Sequence, residues 1–427
     1  MKKRKFTAVI LALFLLSVLT GCSQASAAAA DNLMFDIESV EVAGKAPDSD
    51  FVNSQISFGV ELLKECYRQG GSGENILVSP LSAVYALAMT ANGAKGKTLE
   101  EMEALLGGGM TVDQLNEYLN YYLNSLSTVN DEQENGFKLH MANSLWFKDD
   151  DENLTVEKDF LQTNASYYHA EIYKAPFDNS TVKEVNDWVS KNTDNMIPQI
   201  INEFKPNDIM CLINALAFDA EWSNTYEKYR VHDGTFTDEK GKETTVDMMF
   251  SKEDVYLRDE NASGFLKSYK GGKFSFGALL PDEDISINDY IGSLSAEGLL
   301  KTLTENREQC RVEVNLPKFK CEYDVDLKQH LINMGMPTAF DLNAADFSKL
   351  GKSRNNNIGI DLVIHKTFIQ VDEKGTKAGA STLVVPKDGA SSQQQYKEVT
   401  LDRPFLYMIV DNDTGLPIFL GVVNSID

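Results

Sequence analysis

The sequence predicts a fold of the α+β class, from two patterns and one absence. Apolar residues recur at helical spacing in much of the first half, whereas strand-like segments dominate the second half. Helices and strands segregated in this way are typical of α+β folds. Of the 427 residues, 43% are hydrophobic and 24% charged, and no Pro/Gly/Ser-rich linker interrupts the chain after about residue 50. The length admits one large domain or two ordinary ones.

The first 50 residues have the composition of a targeting segment followed by a tether. Basic residues 2–5 precede an apolar run from Phe6 to Leu19, which ends in Leu-Thr-Gly-Cys22. This ending resembles a bacterial lipoprotein cleavage box, which implies export, a signal peptide over residues 1–21 and lipidation of Cys22. The alternative is an ordinary secretory peptide cut later, near residues 25–28. Residues 22–50 are expected to form a flexible tether between the lipid and the domain.

Four helices are predicted next along the chain. Apolar spacing indicates a helix from Phe51 through Tyr67, and Ser79-Pro80 fits a cap and a first-turn proline for a helix through Thr90. Thr98 followed by Glu101 is a capping-box signal for a third, short helix. Residues 182–201 are amphipathic and are predicted to be helical up to Pro198.

Strands are predicted where β-branched and aromatic residues cluster or alternate with polar ones. The predicted strands are residues 212–218, 274–280, 311–319, 358–371, 405–410 and 418–423. A run of small residues follows the fourth of these strands, and it is unlike the rest of the chain.

The run of small residues combines two structural capacities. Glu373 and Gly375 lead into this run, and the small residues that follow are Thr376, Ala378, Gly379, Ala380, Ser381 and Thr382. Such a composition ordinarily indicates a flexible linker. Every second residue from Thr376 to Thr382 would nevertheless share one face of a strand, and each is small enough to be buried between two close strands. The segment is therefore predicted to exist either as an exposed loop or as an inserted strand.

This segment resembles the hinge of the serpins, a family of serine protease inhibitors. In that family a strand containing His-Lys, here His365-Lys366, is followed by Glu-x-Gly-Thr and then by small residues that lead into an exposed bait loop. Further motifs stand in the family's order over nearly the whole mature chain. They are residues 75–82, 86–89, 93–96, 142–147, 186–189, 212–215, 316–319, 334–340 and 403–406.

The resemblance implies a single serpin domain over residues 51–427, with three β-sheets, about nine helices and an exposed reactive-centre loop at about residues 375–398. It also implies suicide-substrate trapping. A serine protease cleaves the loop, becomes acyl-linked to it, and is distorted when the loop inserts into the central sheet. The native fold would then be held kinetically and would not be the free-energy minimum. We therefore expect a monomeric protease inhibitor and not an enzyme.

Roles for residues outside the run of small residues are implied by the same resemblance. The hydrogen-bonded cluster behind the opening of the central sheet corresponds to Ser79, Ser82, Asn214 and His365. Trp222 matches the tryptophan at the top of the sheet, where insertion starts, and Lys318 with Glu373 matches a charged pair at the hinge base. The alternatives are an ordinary core residue for Trp222 and a surface ion pair worth about 0–1 kcal/mol for the charged pair.

Two ways of counting along the sequence predict different positions for the scissile bond. Counting forward from Gly375 as in the family gives Gly389, with the cut before Ala390, whereas counting backwards from Pro404 gives a bond near Gln393. Gly389 and Ala390 offer little to a deep pocket, which predicts an elastase-like or subtilisin-like target. Val385 is a second elastase-like candidate, and Lys387 is a trypsin-like one.

Charge and motifs argue against several functions. Loss of residues 1–21 leaves 64 acidic against 36 basic residues, which is unlike the clustered Lys and Arg that bind nucleic acid. Residues 110–136, where heparin-binding serpins place a basic helix, hold no Lys or Arg, so no heparin-type activator is expected. No G-x-S-x-G, H-E-x-x-H or phosphate-binding glycine loop occurs. We therefore expect no catalytic residues, no metal site and no cofactor.

Four cysteines remain besides Cys22, without zinc or redox spacing. The nearest pair, Cys310 and Cys321, is separated by a segment that reads as extended, on the order of 30 Å. Buried free thiols are expected, with a disulfide in an exported protein as the alternative. Three other functions stay open: a non-inhibitory serpin acting as a binding or carrier protein, a cross-class inhibitor of cysteine proteases, and an unrelated ligand-binding lipoprotein.

Overall fold

The computed structural model describes residues 30–70, 73–129, 136–149, 154–353, 358–376 and 396–426. Within these ranges nine α-helices and two short 3-10 helices surround three β-sheets. The predicted α+β fold, with three sheets and about nine helices, is confirmed.

Most of the helices precede residue 200, as the apolar spacing predicted. The helices are α1 (Ser49–Gly70), α2 (Pro80–Ala91), α3 (Gly96–Gly107), α4 (Val112–Val129), α5 (Lys158–Tyr168), α6 (Asn179–Asn192), α7 (Ile287–Ser293), α8 (Ala296–Thr304) and α9 (Lys328–Asn333). The Ser79 hydroxyl caps α2 by accepting a hydrogen bond from the Ser82 N–H. All 12 residues of α2 are buried, so this helix lies inside the molecule.

Two helix predictions were wrong in detail. Thr98 does not cap α3; it lies inside the helix, and its hydroxyl accepts a hydrogen bond from the Asp346 N–H at 2.9 Å. The helix α6 ends at Asn192 and not near Pro198, because Asp194 and Asn195 adopt left-handed backbone conformations with φ of 49° and 59°. Asparagine and aspartate tolerate this conformation better than other residues with a side chain.

The strands in the described ranges include all six predicted segments and further strands that were not predicted. In chain order the observed strands are β1 (Asp31–Asn32), β2 (Ile76–Val78), β3 (Phe137–Lys148), β4 (Leu154–Val156), β5 (Glu171–Ala175), β6 (Met210–Glu221), β7 (Val231–Thr237), β8 (Glu243–Arg258), β9 (Ala262–Ser268), β10 (Phe274–Pro281), β11 (Arg307–Pro317), β12 (Phe319–Asp326), β13 (Gly351–Ser353), β14 (Leu362–Val371), β15 (Gly375–Thr376), β16 (Lys397–Thr400), β17 (Phe405–Asp411) and β18 (Pro417–Val423). The six predicted segments overlap β6, β10, β11, β14, β17 and β18 respectively.

The three sheets differ in size, and the seven-stranded sheet is covered on both faces. A seven-stranded sheet has the order β1-β5-β3-β6-β15-β14-β12, and a nine-stranded sheet runs β16-β11-β8-β9-β10-β17-β18-β2 with β7 paired to β8. The third sheet is the pair β13-β4. One face of the seven-stranded sheet packs on α2, and the other face packs on Val185 and Val189 of α6. Burial on both faces explains the nearly continuous apolar run of β6.

Residues 30–50 do not form the flexible tether that was expected. The strand β1 pairs with the edge strand β5, and the Ala30 N–H donates to Glu184 Oε2 at 2.8 Å. The Val40 N–H donates to Ser166 on α5, and apolar side chains of the segment pack against the core. The tether prediction is wrong here because this acidic stretch contains apolar residues that find partners on the domain. Residues 1–29, with the predicted signal peptide and the predicted lipidation site Cys22, lie outside the described residues.

The four described cysteines are unpaired, as expected. Cys66, Cys211 and Cys321 are buried, and Cys310 is partly buried. Burial raises the pKa of the Cys66 thiol to about 12 and that of Cys321 to about 11, so both stay protonated near neutral pH. Among the helices of the described ranges, none is both long and apolar enough to cross a membrane.

Candidate functional site

The seven-stranded sheet opens between β6 and β14. These strands run parallel and pair directly from Cys211 and Leu362 up to Ala217 and Phe368. Beyond that point they separate, and the two residues of β15 lie between them. Thr376 pairs with Ala220 of β6 and with Val371 of β14. The run of small residues predicted to insert into the sheet therefore already begins within it.

Gly375 and Thr376 are closely enclosed in this gap. A Cβ atom on Gly375 would lie 1.9 Å from the carbonyl oxygen of Ala220, so only glycine fits. The Thr376 side chain is fully buried, and its hydroxyl lies 2.5 Å from the Tyr269 hydroxyl. Tyr269 in turn stacks on Trp222 at a ring-centroid distance of 4.5 Å.

Trp222 holds the turn that precedes β15. Its backbone N–H donates to the carbonyl of Lys374, and its indole N–H donates to the carbonyl of Asp372, both at 2.9 Å. The Tyr226 N–H donates to the carbonyl of Glu373 at 2.8 Å. The end of β6 and the residues that follow it thus fix three successive hinge residues, and Trp222 is more than an apolar core residue.

Lys267, which the sequence analysis did not identify, lies against the Trp222 ring. Its ammonium group is buried, donates to Glu253 Oε1 at 2.8 Å, and lies 5.2 Å from the Trp222 ring and 4.5 Å from the Tyr226 ring. Burial lowers the pKa of Lys267, but Tyr226 and Glu253 outweigh this effect and the net pKa is raised. The buried group is therefore charged. A lone lysine in β9 carries no sequence signal for such a role.

The predicted charged pair at the hinge base is present in the structure. Lys318 Nζ lies 2.5 Å from Glu373 Oε1 and 3.0 Å from Asp247 Oδ2. Burial raises the pKa of Glu373, but the hydrogen bond from Lys318 more than compensates, so the pKa is lowered. These side chains are 25% to 54% exposed, so solvent screens the attraction and each pair contributes at most about 1 kcal/mol. Asp247 was not anticipated.

The predicted polar cluster crosses the sheet just below the opening. The Ser79 N–H donates to His365 Nε2 at 3.1 Å, so this nitrogen carries no proton and Nδ1 donates to Asn214 Oδ1. Asn214 Nδ2 then donates to Ser82 Oγ and to Asn143 Oδ1 at 2.5 Å each. Complete burial lowers the pKa of His365 to about 3, which keeps the imidazole neutral.

This cluster links four elements through one set of hydrogen bonds. His365 is on β14, Asn214 is opposite it on β6, Asn143 is on β3, and the two serines are at the start of α2. Asn143 was missed as a member, although the Ala142–Phe147 motif that contains it was noted. The bond between His365 and Asn214 spans the same pair of strands that β15 separates higher up, so it resists further separation.

The remaining predicted site residues lie outside the described ranges. They are Ala378, Gly379, Ala380, Ser381 and Thr382 of the run of small residues, and Val385, Lys387, Gly389, Ala390 and Gln393 of the candidate scissile bonds. Within the described ranges, no three His, Cys, Asp or Glu side chains are placed to bind a metal ion. The described site can let a pair of strands separate and accept another strand between them, and it offers no arrangement for bond-making chemistry.

Comparisons with known proteins agree with this geometry. The family model "Serpin (serine protease inhibitor)" matches residues 53–426. An uncharacterised serpin-like protein of Thermococcus kodakarensis is 30% identical over 385 residues, with 89% of this chain and 87% of that protein covered. The leukocyte elastase inhibitor of Xenopus laevis is 29% identical, with 86% and 97% covered.

Solved structures also match this chain. The thermophilic serpin Tengpin in its native state is 46% identical and superimposes with a TM-score of 0.87. The match covers 93% of this chain and 100% of the Tengpin chain. Tengpin in its latent state gives a TM-score of 0.77. From the family model, these relatives and the opening in the central sheet, we conclude that the chain belongs to the serpin family, whose members are generally protease inhibitors and not enzymes.

Proposed function

We propose that this protein is an exported inhibitor of serine proteases that traps its target by inserting the cleaved reactive-centre loop into the seven-stranded sheet. The observation that carries the proposal is β15. Gly375 and Thr376 are already paired on both sides, with β6 and with β14. The next residues of the run are small and alternate in step with the buried Thr376, so each further pair would extend an existing strand.

The trapping step balances as an ordinary acyl transfer. The serine Oγ of the protease attacks the scissile carbonyl carbon, the C–N bond breaks, and the leaving amine takes the proton. An ester then joins the protease to the new C-terminus. Insertion of the freed strand must separate β6 from β14 at the paired residues Cys211–Ala217 and Leu362–Phe368. It must also break the His365–Asn214 bond, which explains why that bond restrains insertion before cleavage.

We propose an elastase-like or subtilisin-like target for this inhibitor. Gly389 and Ala390 at the favoured scissile bond are small, and one relative is named a leukocyte elastase inhibitor. Inhibition of cysteine proteases and a purely carrier-like role are the alternatives. No heparin-type activator is proposed, because the basic helix is missing from the sequence.

A panel of elastase-like, subtilisin-like and trypsin-like serine proteases, with a papain-like cysteine protease, tests the proposal. We expect a covalent complex that survives denaturing electrophoresis, together with a released C-terminal fragment whose mass locates the cut. Cleavage without a complex would instead indicate a non-inhibitory serpin, and a complex with the cysteine protease alone would indicate cross-class inhibition.

Two neighbouring substitutions test insertion itself. Alternation from Thr376 places Ala380 on the buried face of the inserted strand and Ser381 on the opposite face. Ala380→Arg should convert the inhibitor into a substrate and raise the stoichiometry of inhibition several-fold, because a charge cannot be buried between the strands. Ser381→Arg is the matched control and should change the stoichiometry little. Equal effects of the two would contradict insertion in this register.

We further propose that Cys22 carries the lipid that anchors the exported protein to the bacterial membrane as a monomer. The support is the Leu19–Cys22 ending of the signal-like segment. Membrane fractions should hold the full-length protein, and Cys22→Ser should release it in soluble form. An unmodified N-terminal peptide beginning near residues 25–28 would show that an ordinary secretory signal was used instead.

A further inference from the structure

An aromatic and cationic cluster lies on the nine-stranded sheet close to the hinge. The Tyr229 ring is 79% exposed. The Arg230 guanidinium carbon lies 5.7 Å from the Tyr229 ring centroid and 6.0 Å from that of Phe250. Lys252 Nζ also lies near the Phe250 ring, 5.9 Å from its centroid. We call these four residues, Tyr229, Arg230, Phe250 and Lys252, the Tyr229 platform.

Arg230 is positioned but not neutralised. Its backbone N–H donates to the carbonyl of Glu227 at 2.8 Å. Among the described residues, the guanidinium makes one hydrogen bond, a long contact of 3.5 Å from Nε to the Tyr229 hydroxyl, and no described carboxylate forms an ion pair with it. A guanidinium has five N–H donors, and it binds carboxylates through two parallel hydrogen bonds. Because the two rings restrict the Arg230 side chain, less conformational entropy is lost when a carboxylate binds.

Single exposed aromatic residues are common and need no function. The Tyr229 platform differs because it combines tyrosine and arginine, the residue types enriched at interface hot spots, with cation–π contacts that arrange them. Lys252 is partly offset by Glu313 at 3.5 Å, which leaves Arg230 as the unpaired charge at the centre.

The backbone connections place the Tyr229 platform near the described residues that flank the reactive-centre loop on either side. Three residues before Tyr229, the Tyr226 N–H binds the carbonyl of Glu373 at the hinge. On the other side, β8 carries Phe250 and Lys252 and pairs with β11, which pairs with β16. The strand β16 begins at Lys397, soon after the loop segment ends. The hinge is therefore bound three residues before Tyr229, and the strand that follows the loop pairs into the sheet that carries Phe250 and Lys252.

Charge selects the partner. The chain has a formal net charge of −24, so most of its surface repels an acidic protein, and the partly buried Arg230 beside the exposed Tyr229 is a local exception. We propose that the Tyr229 platform is a second contact site for the target protease. It binds a carboxylate side chain that lies next to an apolar surface, beside the active-site cleft of the protease. This proposal depends on the proposed inhibitory function.

The experiment uses the full-length protein and the panel protease that it inhibits fastest. Association rate constants are measured at low and high ionic strength for the unmodified protein, Arg230→Ala, Arg230→Lys and Tyr229→Ala. Lys349→Ala is the control. Lys349 is an exposed cation without an ion pair among the described residues, and it lies in the segment whose backbone binds Gly93 behind α2. Binding to the protease with its active-site serine changed to alanine is measured in parallel, because it does not require cleavage.

We expect Arg230→Ala to slow association and weaken binding to the inactive protease by about 10-fold at low salt, as truncation of a hot-spot arginine does. The effect should shrink at high salt. Arg230→Lys should recover some of the loss, Tyr229→Ala should reproduce it, and Lys349→Ala should change the rate less than about twofold. Stoichiometry and melting temperature should stay unchanged in all variants, because these side chains are at the surface.

Two failures are distinguishable. If the unmodified protein forms no covalent complex with any protease, the inhibitory proposal fails and the platform proposal fails with it. If the unmodified protein inhibits, but Arg230→Ala and Tyr229→Ala behave like Lys349→Ala, the platform proposal is overturned while inhibition stands.

Discussion

At the scale of residues, a neutral histidine joins the two central strands just below the point where they separate. His365 accepts from the backbone at α2 and donates across to Asn214 on the neighbouring strand. A charged imidazole would have to donate from both nitrogens, and it would then face the Ser79 N–H with no acceptor. Burial without a carboxylate partner is therefore consistent with the lowered pKa of this residue.

The first prediction concerns the pH dependence of stability. The pKa of His365 is about 3 in the folded protein against an ordinary value of 6.5, so below about pH 6.5 the unfolded chain binds a proton that the folded state excludes. This contribution to stability is complete above pH 6.5 and is lost as pH falls toward 3, by up to about 1.4 kcal/mol per pH unit. The melting temperature of the unmodified protein should therefore fall more steeply between pH 7 and 4 than that of His365→Asn.

The comparison isolates His365 because the other titrating groups are common to both proteins. His330, whose pKa burial also lowers, contributes with the same sign in each. Parallel melting curves over this pH range would mean that His365 is already protonated in the native state, contrary to the tautomer assigned from its hydrogen bonds.

At the scale of elements, the two-residue strand β15 shows how much of the insertion is already present before cleavage. It gains backbone pairing on both sides and a buried hydroxyl contact to Tyr269. In exchange, it requires a glycine at the point of closest approach to β6. In the proposed mechanism, β15 is therefore the start of the inserted strand, and the hydrogen bond between His365 and Asn214 joins β6 and β14 below it.

The second prediction is that Gly375→Val expels β15. The added side chain cannot fit against the Ala220 carbonyl, so the pairing of β15 and the Thr376–Tyr269 contact should both be lost. Together these losses cost on the order of 2–4 kcal/mol, to be seen as a lower melting temperature. Insertion after cleavage must also pass through this position, so the stoichiometry of inhibition should rise several-fold. Titration against a fixed amount of protease measures it.

The matched control for Gly375→Val is Lys374→Val, one residue earlier. Lys374 is exposed, and its backbone carbonyl, which accepts from Trp222, is kept in the variant. This control should leave stoichiometry and melting close to those of the unmodified protein. If Gly375→Val matched the control, β15 would not be a required stage of insertion.

At the scale of the whole molecule, the described part of the seven-stranded sheet leaves pairing unfulfilled above Phe368, since Gly375 and Thr376 are the only described residues that pair in the gap between β6 and β14. Filling this gap with a full strand would add backbone hydrogen bonds along both neighbours and bury small side chains. The intact form is therefore expected to be stabilised by its barrier to insertion more than by its free energy.

The third prediction follows from this unfulfilled pairing. A protease that nicks the loop between residues 377 and 395 without being trapped should yield a cleaved form that melts higher. An inserted strand adds roughly ten backbone hydrogen bonds of about 1 kcal/mol each, so we expect a rise of at least about 10 °C. Differential scanning calorimetry of intact and nicked protein checks it, and Ala380→Arg provides the control that should not gain. Equal melting of nicked and intact protein would argue for a carrier-like serpin.

Much of the fold could be predicted because it rests on local patterns. Apolar periodicity and the Ser79-Pro80 signal located α1 and α2 within about three residues. Insertion of the run of small residues stays a prediction, and the described part of that run begins between β6 and β14. Matching motifs also paired Lys318 with Glu373 across 55 positions of the sequence. The errors at Thr98, in α6 and in residues 30–50 share one cause. In each segment, the structure depends on particular contacts or backbone conformations that the composition of the segment does not specify.

The sequence by itself therefore determined the α+β class, the approximate positions of four helices and six strands, and the family. Only the tertiary structure decided that Asn143 joins His365 and Asn214, that Lys267 lies charged next to Trp222, and that Arg230 lies near the rings of Tyr229 and Phe250. The physical reason is that periodicity and propensity act over a few neighbouring residues. Hydrogen bonds and ring contacts between distant strands instead depend on how whole sheets pack, and packing is a property of the complete chain.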